Sequence, residues 1–135
     1  MTLVDRLNEL LEAERAGVET LTLLWLEARP PETRKLFEEV RDGEAWSCAG
    51  LVRSIRQLGG VMSDGTGDFA KKVMSEPSLA GRLCLLNRGQ GWVVKRLDGL
   101  LGEPLPATVR EFLEEMKARH VANIGACERL AESLG

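Results

Sequence analysis

Glu14, Glu44, Gln90 and His120 are the residues of this chain whose types and spacing bear on chemistry. Each interrupts, near its middle, a segment in which apolar residues recur at i, i+3, i+4 and i+7, the spacing of one buried helix face. A carboxylate on such a face cannot remain ionised and alone, because removing a bare charge from water is very costly. It must be protonated, hydrogen-bonded, paired with a cation or bound to a metal, and all four solutions demand inward-facing partners. Gln90 can donate through its amide, and His120 can donate to a carboxylate or bind a metal through a ring nitrogen. Four interruptions at similar depth predict a single polar layer crossing the core.

Four long helices are expected to position these groups. Thr2 followed by Asp5 has the form of a capping box and starts a helix that runs to Ala28. "RPP" at 29–31 stops it and pre-sets the first turn of a second helix, from about Glu32 to Leu58, which ends at "GG". A third begins near "SEPS" and reaches Leu101, where "GEPLP" breaks it; the fourth starts near Pro106 and runs almost to Gly135. The stripes are Leu7, Leu10, Leu11, Val18, Leu21 and Trp25 around Glu14, then Phe37, Val40, Cys48, Leu51 and Ile55 around Glu44. On the third helix Leu79, Leu83, Leu86, Val93 or Val94 and Leu97 surround Gln90, and on the fourth Val109, Leu113, Met116, Ile124, Cys127 and Leu130 surround His120. No alternating pattern occurs, so the fold class is all-α.

The connections select a topology. Two are short, at Pro30-Pro31 and from Gly102 to Pro106, and make antiparallel neighbours of helices one and two and of helices three and four. Between the second and third lies "GGVMSDGTGDFAKKVMS", with Thr66 or Asp68 able to cap a short extra helix through Met74. That connector is long enough to cross the length of a bundle.

Composition sets the outer bounds. A chain of 135 residues suits one domain over 1–135, and 44% apolar with 29% charged residues excludes disorder. A formal net charge of −3 gives no electrostatic reason to expect nucleic acid or an anionic membrane as partner. Cys48, Cys84 and Cys127 are odd in number and lack metal-binding spacing, which points to reduced thiols in a cytoplasmic setting. The longest apolar run, "LTLLWL", is too short to span a bilayer, and no signal peptide is expected. No glycine-rich phosphate loop, HExxH or nucleophile elbow is present, and Cys48 and Cys127 lie on core stripes as inert thiols.

The layer brings a family resemblance. Di-iron ferritin-like proteins, including rubrerythrin and bacterioferritin types, place a Glu on helix one, Glu-x-x-His on helix two, a Glu on helix three and Glu-x-x-His on helix four, all facing inward. This chain resembles that plan along nearly its whole length: Glu14 matches the first Glu, Glu44 the second, Gln90 the third-helix Glu and His120 the fourth-helix His. It also departs from it, with Ser47 where the second-helix His would stand and Lys117 where the fourth-helix Glu would stand. The stretches "LLNRGQGWVVKRL" (85–97), "LGG" followed by "TGDF", and "HVANI" are similar to an uncharacterised bacterial branch of that superfamily with a degenerate di-iron site. The resemblance implies a ferritin-like four-helix bundle with a long crossover between its second and third long helices.

Two carboxylates, one imidazole and one amide do not balance two irons. A single iron or manganese through Glu14, Glu44, His120 and Gln90 resembles the facial set of non-haem iron sites. The competing solution needs no metal: Lys117, turned inward, supplies the counter-charge to Glu44 or Glu14, with Ser47 supporting the layer. The residues thus leave two functions open. One is a non-catalytic binding or structural module built on a buried Glu–Gln–His network; the other is a metal-dependent oxidoreductase or metal-binding protein with a mononuclear site. Gly43, Ser47, Gly50 and Ser54 form a row of small residues on helix two, pointing to close helix approach inside the chain or between protomers. Trp46 and Trp92 lie off the stripes, the latter between Arg88 and Arg96, and mark an expected homodimer interface or ligand groove. The basic face of the third helix (Arg82, Arg88, Lys95, Arg96) is expected to be solvated or paired with the acidic first helix.

Overall fold

In a computed structural model, which describes residues 1–134, the chain forms α1 (Leu3–Glu27), α2 (Pro31–Gln57), α3 (Phe69–Met74), α4 (Leu79–Leu101) and α5 (Ala107–Ser133), with no strand among the described residues. The last helix ends at Ser133, just short of Gly135, which lies outside the described residues. Local chemistry sets each boundary. The Thr2 hydroxyl accepts from the Asp5 amide at 3.1 Å and the Asp5 carboxylate accepts from the Thr2 amide at 3.0 Å, completing the capping box of α1. Pro30 caps α2 and Pro31 occupies its first turn, where the missing N–H costs nothing. Gly59, at φ +74°, closes α2 in a left-handed conformation that side chains avoid. Ser78 caps α4 by accepting from the Gly81 amide at 3.0 Å. Asp68 takes the N-cap position of α3 but leaves the backbone uncapped, its carboxylate turning to Lys72 at 3.6 Å.

α1 pairs with α2 and α4 with α5; α2 lies beside α5, α1 beside α4, and α3 bridges α1 and α4. The long connector runs along α1, held by a polar stripe at i, i+4 and i+7. Asn8 donates to the Val61 carbonyl and accepts from the Ser63 amide, Glu12 accepts from the Ser63 hydroxyl, and Arg15 donates to the carbonyls of Ser63 and Gly65. α4 therefore starts at the end of the bundle where α2 began, and the two run parallel. Arg82 anchors this turn, pairing with Glu27 of α1 at 2.5 Å and donating to the carbonyls of Met74 and Glu76.

The core divides into two apolar clusters. One joins Leu7, Leu10, Leu11, Leu51, Ile55, Val93, Leu97, Leu100, Val109, Leu113 and Met116; the other joins Leu21, Leu24, Phe37, Val40, Leu83, Leu86 and Cys127. On every long helix the expected polar residue falls in the gap between them. The stripe on α1 is rotated slightly from expectation: Gly17 and Leu24 are buried, whereas Val18 and Trp25 are half-buried. Trp25 sits under the guanidinium groups of Arg34 and Arg41, 4.2 and 5.3 Å from its ring centre. Val93 rather than Val94 faces the core. No helix is long and apolar enough to cross a membrane among the described residues.

The small-residue row of α2 faces inward, toward α5. A Cβ on Gly50 would lie 1.9 Å from the Phe112 ring, which in turn packs on Trp46 at 5.2 Å between centroids. Gly43 is different, with only ordinary contact to Asn123 at 3.7 Å. Gly50→Ala is expected to destabilise the protein by about 1–3 kcal/mol through overpacking, despite the better helix propensity of alanine. Urea denaturation checks this, and Gly43→Ala serves as a control expected to be neutral or stabilising.

Candidate metal centre

The layer between the two clusters takes Glu14, Glu44, Gln90 and His120 from the four long helices, with none from α3. Glu14, Glu44 and His120 are 2%, 2% and 1% exposed, and Gln90 and Ser47 are equally enclosed. His120 Nδ1 faces the Met116 carbonyl at 2.9 Å, and since a carbonyl only accepts, that nitrogen carries the proton. Its other nitrogen, Nε2, lies 2.7 Å from Glu14 Oε1 and 3.7 Å from Glu44 Oε2. The nearer contact is short but not aligned as a hydrogen bond, and Glu14 Oε1, Glu44 Oε2 and His120 Nε2 all lack a hydrogen-bond partner. Ligand atoms of these three residues lie within 4.8 Å of one another. A neutral imidazole in this tautomer makes all three of them acceptors, and three acceptors at this distance require a cation or shared protons among them.

The electrostatics express that requirement. Burial, followed by the charge of Glu44, pushes the Glu14 carboxyl well above the usual carboxylate range, against the opposing pull of His120. Burial works against an imidazolium at His120, yet the Glu14 and Glu44 carboxylates outweigh it and raise the ring to about 11. Without another cation the layer therefore retains protons at neutral pH. The neighbouring thiols are disabled by the same surroundings: burial and then the carboxylates raise Cys48 to about 12, and burial raises Cys127 to about 11.

Gln90 joins the layer through a chain of amides that the sequence reading missed. Asn87 Nδ2 donates to the Ile124 carbonyl at 3.2 Å, so its Oδ1 faces Gln90 and accepts from Nε2 at 3.1 Å. Gln90 Oε1 is consequently turned away from Asn87, buried and without a partner. Asn87 is three residues before Gln90, one helical turn, which was the available signal. Gly17 was also missed. A Cβ there would stand 3.0 Å from Glu44 Cδ, so glycine makes room for the carboxylate.

Lys117 does not enter the layer. Met116 takes the core position, and Lys117 turns outward to Asp98 of α4 at 2.6 Å with 39% of its side chain exposed. The sequence left the direction of Lys117 open, and the inward alternative as counter-charge is not the one adopted: an ammonium reaches a carboxylate on the rim of the bundle without losing its water. Ser47 does face the layer, with its hydroxyl unpartnered. Trp46 is half-buried, capped by Arg119 at 3.8 Å and by Phe112, and closes the edge between α2 and α5. Trp92 is exposed on α4, with Arg96 rather than Arg88 stacked on it at 4.8 Å.

A cavity of about 440 Å³ leads from the surface between α1, α3 and α4 to the layer. Glu14, Glu44 and Gln90 line its depth, and Glu12, Asp68 and Lys72 also line it.

The donor set fits one metal and not two. Two metals need about four carboxylates and two imidazoles, whereas the group that converges here supplies two carboxylates and one imidazole, and Gln90 is neutral. Glu14, Glu44 and His120 together supply two carboxylates and an imidazole at separations that a single ion at metal–ligand distance can bridge. The His120 Nδ1 contact to a backbone carbonyl is the partner that orients a metal-binding imidazole.

Comparison with known proteins agrees with the fold. A ferritin-like, diiron-carboxylate protein from Bacillus anthracis strain Ames superposes with a TM-score of 0.81 at 18% identity, over 97% of this chain and 99% of that one. The chain thus has the ferritin-like bundle fold. No curated protein matches the sequence. The family model described as a domain of unknown function, DUF6306, matches residues 2–129, and the chain belongs to that family.

Proposed function

We propose that this protein binds one divalent transition metal, iron or manganese, through Glu14, Glu44 and His120. The observation that carries this reading is the convergence of three buried atoms without hydrogen-bond partners, Glu14 Oε1, Glu44 Oε2 and His120 Nε2, with the other ring nitrogen of His120 already committed to the Met116 carbonyl. The outward turn of Lys117 supports it, because that ammonium pairs with Asp98 and leaves the buried carboxylates without it. Ser47 and Gln90, buried in the same layer, support it as polar neighbours rather than as ligands. A metal held by two carboxylates and an imidazole supplies redox and Lewis-acid chemistry, and the cavity gives small molecules a path to it. A metal-dependent oxidoreductase is the activity that follows from this centre. The homodimer expected through the exposed Arg88, Trp92 and Arg96 face, and a cytoplasmic setting, belong to the same proposal.

A second reading, a non-catalytic module with a proton-bridged polar layer, draws on the loss of a ligand pair at Ser47 and Lys117 and on the raised proton affinities of Glu14 and His120. Elemental analysis after anaerobic loading with iron or manganese separates the two readings. One ion per chain is expected, with affinity at least tenfold weaker in His120→Ala, since even outer-shell changes cost about 10- to 100-fold. Protein that stays metal-free on loading supports the module instead.

Proton linkage gives an independent check. In metal-free protein Glu14 and His120 hold protons that the unfolded chain releases, so the folded state binds more protons above the ordinary carboxylate and imidazole ranges. The layer's contribution to stability is then greatest at low pH and falls as pH rises through neutrality toward about 11. Each retained proton is worth about 1.4 kcal/mol per pH unit. Thermal melts of metal-free protein between pH 7 and 10 should show this decline, and metal affinity should rise over the same range because ligation expels the protons. Gly17→Ala should leave the melting temperature of metal-free protein unchanged or higher while weakening the metal about tenfold, because its Cβ crowds Glu44; scanning calorimetry reads the first and titration calorimetry the second.

A further inference from the structure

The cavity that reaches the layer is shaped for more than solvent. Its α1 wall is made of small residues, Ala13, Ala16 and Gly17, and its α4 wall of Leu86, Gly89 and Val93. Phe69 of α3 packs its ring onto Gly89, where a Cβ would stand 2.8 Å from Cζ, and Trp92 adds a second aromatic surface that is 38% exposed. A slot between two helix faces with aromatic edges admits a flat apolar body, and about 440 Å³ lies within the range of small-molecule sites, roughly 300–1,000 Å³.

The polar character of the slot is one-sided. The buried unpartnered atoms of its lining residues are all oxygens, Glu14 Oε1, Glu44 Oε2 and Gln90 Oε1. With Glu14 and Glu44 engaged by a cation or by protons, Gln90 Oε1 remains as a fixed acceptor, held by the Asn87 and Ile124 chain. A buried acceptor without a donor is costly, so an occupant that brings an O–H is favoured over one that does not. Anions are disfavoured: Glu12 and Asp68 also line the slot, where the one ammonium, Lys72, is already turned to Asp68.

We propose that this slot binds a neutral, flat, mainly apolar molecule carrying a hydroxyl group, of the phenol class, with the ring between the α1 and α4 walls and the O–H donated to Gln90 Oε1. This goes beyond the metal reading, since the slot and its acceptor are present whether or not an ion occupies the layer.

The test is a titration of the full chain with phenol, toluene and benzoate, followed by ¹⁵N shifts in metal-free samples and by calorimetry in metal-loaded samples whose metal content is measured. Saturable phenol binding is expected, with shift changes centred on the amides of Ala13, Gly17 and Gly89 and the Trp92 indole. Toluene, which lacks the donor, should bind about tenfold more weakly, and benzoate should not saturate. Gln90→Leu should lower phenol to the level of toluene, and Ala13→Phe should abolish phenol binding by filling the slot. Equal binding of phenol and toluene to wild-type protein, shift changes centred away from the slot, or no saturable binding would each overturn the proposal without requiring either variant to fold. Metal-free protein that binds phenol after loading removes the metal reading alone; metal-loaded protein that fails to bind phenol removes this inference alone.

Discussion

Everything in this bundle is arranged around acceptors that must not be left alone. Two buried carboxylates and an imidazole that has already spent one nitrogen form a cluster with no fixed positive side chain inside it. Such a cluster is tolerable only where the backbone brings its members to the same depth, so that one cation or a small number of protons serves all of them. The two hairpins and the parallel placement of α2 and α4 do this. Residue 14 on an ascending helix, 44 and 90 on descending ones and 120 on another ascending one then meet in one plane, and the apolar core splits into a cluster on either side.

The surroundings hold the cluster in place without neutralising it. Met116 presents the carbonyl that fixes the His120 tautomer, Asn87 turns the Gln90 amide so that its oxygen is free, and Gly17 clears space for the Glu44 carboxylate. Lys117, three residues before His120 on the same helix, is drawn off by Asp98. Close packing elsewhere, where Phe112 lies against Gly50, sits at a different level of α2 and does not fill the layer. The opening lies on the α1, α3 and α4 side, where the crossover and its short helix close the bundle less tightly than direct contact between long helices would.

Much of this was legible in the chain before its structure. Helix boundaries followed from Thr2, Pro30-Pro31, Ser78 and Pro106, because capping and proline chemistry are local. The crossover followed from connector length, and the layer from single polar interruptions of otherwise apolar stripes. What could not be read were directions set by partners remote in sequence. Met116 was legible as a core position, but the direction of its neighbour Lys117 was not, because its partner Asp98 comes from α4. Trp25 and Trp46 are placed by arginines from α2 and α5 rather than by their own helix periodicity. The role of Asn87 depends on the Ile124 carbonyl, a partner 37 positions away. The inward orientation of Gly50 likewise needed the α5 register.

The most direct measurement is an anomalous-difference map from crystals grown after loading with iron or manganese, with data on either side of the corresponding absorption edge. A single peak bounded by Glu14 Oε1, Glu44 Oε2 and His120 Nε2 is the predicted result. Two peaks in the layer, or none while the carboxylates and imidazole keep their present contacts, would contradict a mononuclear centre.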